Sequence, residues 1–363
     1  MSYLVNIATA VPDYGYKQRV LTEFYSNSTN DLGVKRKVKI LDAKSGTSTR
    51  YSVLEDYGLP PEEFTFFPKN RQLLPSPTLT QRMAIFKKEA LPLSIKAIQN
   101  LPNFADFRDS ITHLITVTCT GLSAPGLDIE LLQALQLPPT THRSSVNFLG
   151  CNAAIIALKQ ADGICRSLPN ARVLIVCTEL CTLHFQTIYN EDYLLCNVLF
   201  GDGSAAVLLS SQALDDPSSK NAEITHFDSF CIPDSRNEMA WQLSETGFIM
   251  NLTSYVGDLI KNNIKQMLDN VGIEPSAIDL WAVHPGGKKI VDNFAEALEL
   301  DTEDLAASYH VLNNYGNMSS PTVLFVLQHL LDQLGEGDRG KKILAAAFGP
   351  GLTVETMQLR THA

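Results

Sequence analysis

At 363 residues the chain is longer than one ordinary core supports, so two domains or one large duplicated domain is expected. Hydrophobic residues make up 45% and charged residues 19%, which excludes extended disorder, and a formal net charge of −10 leaves no broad basic footprint for nucleic acid. Seven cysteines, at 119, 151, 165, 177, 181, 196 and 231, are odd in number and scattered, so neither a disulfide framework nor a structural zinc site is expected.

The opening residues, Met1 to Ala8, lack the basic n-region and long apolar region of a signal peptide. No apolar run reaches the length of a membrane span, and the expected setting is a reducing cytoplasm. Residues 3–12 read as a short strand and 18–25 as a helix. Lys35, Arg36, Lys37, Lys39, Lys44 and Arg50 then interrupt apolar and small residues, a pattern that by itself is a solvated helix face. Prolines between 60 and 77 mark an irregular connection before a helix over 78–99.

The run His113 to Cys119 is a buried-strand pattern that stops at the loop 120–126. Such a loop lies at the carboxyl end of a strand, where ligands meet open α/β sheets. A helix over 127–135 follows. The stretch 144–154 then runs as a strand, turns at Gly150, and opens on Cys151 into an apolar helix over 153–166. A sulfur near the first turn of a helix meets unpaired N–H groups and the positive dipole end, which lower a thiol's pKa. The alternative for Cys151 is a small core hydrophobe. Another apolar strand spans 171–179, and Leu199-Phe200-Gly201-Asp202-Gly203 is a tight turn feeding a further strand.

A polar, turn-rich break at 215–220 divides the chain into halves 1–214 and 215–363. The second half repeats the alternation: helix 252–271, strand 280–283 ending at His284-Pro285-Gly286-Gly287, helix 288–298, the turn Tyr315 to Pro321 opening helix 322–334, and strand 342–347 before Phe348-Gly349-Pro350-Gly351. The pattern favours paired α/β halves with helices around buried sheets.

Cys151, Phe200, His284 and Asn317 all fall at strand ends or helix starts. Singly, His284 reads as a hydrogen-bonded structural residue, Asn317 as a cap for the helix near Ser320, and Phe200 as core. Together they suit acyl chemistry. A cysteine nucleophile needs a base, and an acyl intermediate needs donors for a developing oxyanion.

Five motifs in this order resemble the type III polyketide synthases, the chalcone-synthase-like enzymes of the thiolase fold: Asn147 to Cys151 followed by small residues, Leu199 to Gly203, His284 to Gly287, Tyr315 to Ser320, and Phe348 to Glu355. The resemblance covers essentially the whole chain and is closer to bacterial members than to plant ones. It implies an α/β fold of two pseudo-duplicated αβαβα halves forming a five-layered core. It implies further that Cys151 carries the acyl group, that His284 is its base and a donor to the thioester carbonyl, that Asn317 is the second donor, and that Phe200 is the gatekeeper. The implied reaction loads a starter acyl-CoA and extends it by decarboxylative Claisen condensation with malonyl-CoA, followed by cyclisation to a pyrone, resorcinol or phloroglucinol-type product. Coenzyme A thioesters are the substrates, and neither metal nor nicotinamide cofactor is expected.

By the same resemblance Lys37 and Lys44 meet the coenzyme A phosphates. Ile40 stands where another family cation is found, and Lys288 or Lys289 is the candidate replacement. Cys119, Cys181, Leu183, Trp241, Met250 and Ser319 are expected to line the starter and cyclisation cavity, with Gly286, Gly287, Gly349 and Pro350 in the adjoining loops. Trp241 stands where plant members have glycine. A homodimer is expected. The alternatives are an initiating ketoacyl-carrier-protein synthase, a hydroxymethylglutaryl-CoA synthase lacking a placed glutamate base, a cysteine hydrolase, and, from another class, a non-catalytic acyl-binding relative.

Overall fold

The computed structural model describes residues 1–216, 218–253 and 255–362. Pro217, in the expected break between halves, and Ser254, in the expected helix 252–271, lie outside the described residues.

The strands are β1 (Ser2–Ala10), β2 (Tyr14–Lys17), β3 (Thr49–Ser52), β4 (His113–Thr118), β5 (His142–Asn147), β6 (Arg172–Leu180), β7 (Asp202–Ser210), β8 (Ala222–Cys231), β9 (Met239–Ser244), β10 (Gly247–Leu252), β11 (Leu280–Val283), β12 (Lys342–Gly349) and β13 (Thr353–Arg360). The helices are α1 (Gln18–Asn27), α2 (Leu32–Lys44), α3 (Leu79–Gln99), α4 (Phe104–Phe107), α5 (Leu127–Ala134), α6 (Ala153–Ser167), α7 (Glu191–Leu199), α8 (Val256–Asn270), α9 (Lys288–Leu298), α10 (Ala306–Tyr315) and α11 (Thr322–Asp332). The apolar periodicity locates many of the buried elements to within a few residues. It passes over β8, β13, α7 and α10, over the hairpin β9–β10, whose faces alternate weakly, and over α2, where only Val38 is buried.

Among the described residues nine strands form one sheet in the order β11-β12-β13-β8-β1-β7-β6-β4-β5. The two halves join where Ser2, Tyr3 and Leu4 of β1 pair antiparallel with Ile224, Glu223 and Ala222 of β8. Side chains alternate across each strand, so each strand feeds two cores. In β6, Val173, Ile175 and Cys177 enter one core, while Leu174, Val176 and Leu180 enter another. In β12, Ile343, Ala345 and Ala347 enter that first core, while Leu344, Ala346 and Phe348 enter a third.

The shared core also holds α6 and α11, whose Ala153, Ala154, Ala157, Leu158, Ala161, Val323, Leu324 and Val326 are almost wholly buried. Helices α3 and α5 cover the outer face of the first half, and α8 and α9 that of the second. The layers therefore run helix, sheet, helix, sheet, helix. Alanines let α6 sit between the two halves of the sheet, and α11 fills the same layer with Val, Leu and Phe. Each outer helix, in contrast, needs only one apolar face, and α3 opens with a capping box between Thr78 and Gln81.

Ala157 sits at 0% exposure in the central layer, so Ala157→Leu forces extra methylenes into a closed space. The expected cost is about 1–3 kcal/mol, read as a lowered thermal midpoint. An unchanged midpoint would mean that the layer has room this packing denies.

Candidate active site

Gly150, Cys151 and Asn152 form a single 3-10 turn between β5 and α6. Gly150 has φ of +79°, and a Cβ there would lie 2.2 Å from Cδ of Pro350. Glycine is thus required twice, by the backbone and by the proline resting on it. A Cβ on Gly349 would in turn fall 2.4 Å from Oδ1 of Asn152, whose Nδ2 donates to Oγ1 of Thr353 at 2.9 Å. The loop 348–351 therefore clasps the turn that carries Cys151. Just before the turn, Phe148 adopts φ of +64°, an unusual conformation for a non-glycine residue.

His284 follows β11 directly, its N–H donating to the Ala346 carbonyl at 2.8 Å. It is 1% exposed, and among the described residues neither ring nitrogen has a hydrogen-bond partner. A Cβ on Gly286 would stand 3.4 Å from the Cδ2 and Nε2 atoms, so this glycine leaves room at the ring's edge. Asn317 lies ahead of α11 and does not cap it; Pro321 occupies that position, and Asn317 Oδ1 accepts from the Ser319 N–H at 2.8 Å. Asn317 Nδ2 donates to the Gly286 carbonyl at 3.2 Å, and the Cys151 Sγ lies 3.9 and 4.0 Å from the amide oxygen and nitrogen. Phe200 ends α7 and forms an isolated parallel bridge with Asn317.

These four side chains line one cavity, which with its open mouth encloses about 1260 Å³. Cys119, Cys181, Trp241, Met250, Gly286, Ser319 and Pro350 line it too. Leu183 does not: Cys181–His184 is a 3-10 turn, which sends Leu183 into the core behind α3 and brings His184 to the cavity instead. Gly287 faces Leu199, and Gly349 supports from behind. Cys119 is more than a small group ending a strand, because its Sγ accepts the Gly150 N–H at 3.1 Å.

Lys37 pairs with Glu191 at 3.5 Å, Lys288 with Asp292 at 2.7 Å, and Lys289 with Asp258 at 2.8 Å, away from the catalytic groups. Lys44 closes α2, and the turn at Gly46 abuts the stem of Lys288, where an added Cβ would be 3.3 Å from the lysine Cβ. The ends of α2 and α9 are thus neighbours. Ile40 is exposed.

Burial pushes the Cys151 thiol up to about 11 and the His284 imidazole down to about 3. The sequence expectation was a lowered thiol pKa from the helix start; desolvation in an apolar cavity outweighs the hydrogen bonds from Ser319 and Asn317. Neither group alone holds a charge comfortably.

Three residues escaped the sequence reading. His184 donates from Nε2 to the Thr120 carbonyl at 3.0 Å and accepts the Phe248 N–H at Nδ1, which fixes its tautomer. Its ring stacks on Phe248 at 4.1 Å, and Phe248 and Trp241 follow at 4.8 Å, so three rings wall one end of the cavity. Glu179, wholly buried, accepts from the Cys119 N–H, Thr120, Thr118 and Ser320, tying the loop after β4 to the loop before α11. Burial raises its carboxyl to about 6 despite these donors. Arg50 is the third: the charge pattern groups it with a solvated helix face, but it lies buried on β3, whose residues Thr49, Arg50, Tyr51 and Ser52 give no apolar signal.

A thiol, a free imidazole and a carboxamide converging beneath the central helices of a thiolase-like fold define an acyl-transfer enzyme. Residues 1–213 match the N-terminal domain, and 223–363 the C-terminal domain, of chalcone and stilbene synthases. The chain belongs to this family, the type III polyketide synthases. It is 33% identical over 294 residues to the alpha-pyrone synthesis polyketide synthase-like Pks18 of Mycobacterium tuberculosis, covering 77% of this chain and 73% of that protein. Its structure is similar to PKS-I from the brown alga Ectocarpus siliculosus, at TM-score 0.90 and 26% identity over 99% of this chain and 98% of that one. It is also similar to 1,3,6,8-tetrahydroxynaphthalene synthase from Streptomyces coelicolor, at TM-score 0.86 and 26% identity over 99% of both chains. Among the described residues no group of three or more His, Cys, Asp or Glu side chains is placed to share a metal ion, and no helix is long and apolar enough to cross a membrane.

Gly150→Ala is expected to abolish labelling of Cys151 by acyl-CoA in a protein that still melts cooperatively, because Pro350 must move before a methyl fits. Intact-protein mass spectrometry checks this; full acylation of the variant contradicts the clasp.

Proposed function

We propose that the protein takes a starter acyl group from acyl-CoA onto Cys151 and extends it with malonyl-CoA by decarboxylative Claisen condensation. The observation that carries this reading is His284: a buried imidazole with both nitrogens unpartnered, lining an apolar cavity beside a thiol, is costly unless an incoming group uses it.

His284 takes the thiol proton as Sγ attacks the starter carbonyl, and coenzyme A leaves as its thiol with that proton. Malonyl-CoA then loses carbon dioxide, and the electron pair of the broken carbon–carbon bond becomes an enolate. His284 and Asn317 Nδ2 donate to the enolate oxygen; a neutral amide suits this place, since a carboxylate would repel the charge. The enolate carbon attacks the Cys151 thioester, and Sγ is released as the chain moves to coenzyme A. Phe200 supplies an apolar gate that limits water. Repetition and ring closure give a pyrone, resorcinol or phloroglucinol-type product.

Lys37, Lys44, Lys288 and Lys289 are assigned to the coenzyme A phosphates. Exposed ion pairs are worth little, so a phosphate can displace Asp292 or Asp258 cheaply. The protein works in the cytoplasm as a homodimer whose halves divide at 214 and 215. The edge strand β5, mostly exposed, and exposed Leu122 and Leu149 near it favour a partner at that side.

Cys151→Ala is expected to lose starter loading, and Asn317→Ala to load but no longer decarboxylate malonyl-CoA. Mass spectrometry of the intact protein and of released acetyl-CoA measures both steps; acylation that persists without Cys151 would sink the proposal. Product formation from malonyl-CoA without a carrier protein separates this enzyme from an initiating ketoacyl-carrier-protein synthase.

A proton moved from the thiol to the imidazole makes two opposite charges in one cavity, each offsetting the other's desolvation. A thiol raised by burial yields thiolate only as pH climbs through its pKa. With the base removed, the pH midpoint for iodoacetamide labelling of the Cys151 peptide is therefore expected to be higher in His284→Gln than in the unsubstituted enzyme. An unmoved midpoint removes His284 as the base.

A further inference from the structure

Among the described residues that line the cavity, Arg50 is the sole Asp, Glu, Lys or Arg. It is 4% exposed, and no carboxylate lies within ion-pair distance among the described residues. Its donors go instead to main chain and to one amide. Nε donates to Gln18 Oε1 at 2.8 Å, and Nη1 donates to the carbonyls of Asn197, at 3.0 Å, and Phe200. Gln18, itself 5% exposed, uses Nε2 to donate to the Val198 carbonyl at 3.0 Å. Two side chains, from the start of α1 and from β3, thus take up three carbonyls at the end of α7. That end carries the negative pole of the helix, where a cation is favoured.

The same backbone carries the condensation machinery. The Asn317 N–H donates to the Leu199 carbonyl at 3.0 Å, and the Gly201 N–H to the Asn317 carbonyl at 2.9 Å. Between them, Gly316 has φ of +70° and lies against Arg50: a Cβ there would meet Arg50 Cγ at 2.8 Å and Cδ at 2.9 Å, and the Leu199 carbonyl at 2.8 Å. The guanidinium stem therefore touches the Asn317 loop while its head holds the Phe200 carbonyl. Cys151 is positioned separately, by α6 and by the Pro350 clasp.

We infer that Arg50, oriented by Gln18, is a positioning residue that sets Phe200 and Asn317 as one unit, and so governs decarboxylation and extension without governing starter loading. The inference rests on the condensation proposed above. It adds a requirement for the planar fork of arginine. A lysine ammonium keeps the charge, but it is a point donor on a flexible stem and cannot serve Gln18, Asn197 and Phe200 in one plane.

The test uses full-length Arg50→Lys and Gln18→Met with two readouts on each: acyl-CoA loading of Cys151 by intact mass, and conversion of malonyl-CoA to acetyl-CoA and product. Arg50→Lys is expected to load within about twofold of the parent while decarboxylation falls about a hundredfold, the size of effect that a small misplacement of reacting groups produces. Gln18→Met is expected to lose about tenfold in the same step alone, because Arg50 stays but loses its guide. Decarboxylation unchanged in both variants overturns the inference. So does a parallel fall of loading and decarboxylation in a variant that melts like the parent, which would make the cluster merely structural. Should Arg50→Lys fail to fold, the split in Gln18→Met decides. A parent enzyme that loads no starter and decarboxylates no malonyl-CoA would instead refute the condensation itself, which keeps the two failures apart.

Discussion

Everything at the cavity depends on two central helices, α11, buried nearly all round, and α6, buried through its first turns. Helices α6 and α11 occupy the layer between the sheet halves, and each begins at the cavity: Cys151 stands at the entry to one and Asn317 shortly before the other. A helix packed on one side can rock; a helix enclosed between the two halves of the sheet cannot without opening both. The contact of about 4 Å between the Cys151 sulfur and the Asn317 amide is a product of that double confinement. The alanines of α6 suit that space, and the valines, leucines and Phe325 of α11 fill the rest of it.

The confinement also sets the electrostatics. The apolar surroundings that fix the thiol and imidazole remove the water that would solvate their charges, so the thiol moves up and the imidazole down. In such a site charge is best made in compensating pairs, or at donors aligned in advance. Asn317 is aligned by Ser319 and Gly286 before any substrate enters. The positive charge of Arg50 is kept beside this arrangement, bound to carbonyls, with no carboxylate at ion-pair distance among the described residues.

The glycines have a similar logic. Gly150, Gly316 and Gly349 are each pressed by a neighbour from a different part of the chain: Pro350, Arg50 and Asn152. They are the points where one loop crosses another closely enough to exclude a methyl group. The motifs visible in the sequence are largely these crossings.

The sequence by itself determined the α/β class and many of the buried strands and helices, because apolar periodicity and glycine turns are local signals, and the resemblance carried by its five motifs pointed to the layered fold and to Cys151, Phe200, His284 and Asn317. It could not say that Leu183 turns away and His184 turns in, since a 3-10 turn breaks the parity of a strand. Nor could it mark Glu179, Arg50 or Gln18, whose side-chain partners lie between 32 and 180 positions from them in the chain, or foresee that burial would raise the Cys151 thiol. Those outcomes rest on hydrogen bonds and desolvation between segments remote in sequence, and only the packed tertiary structure brings such segments together.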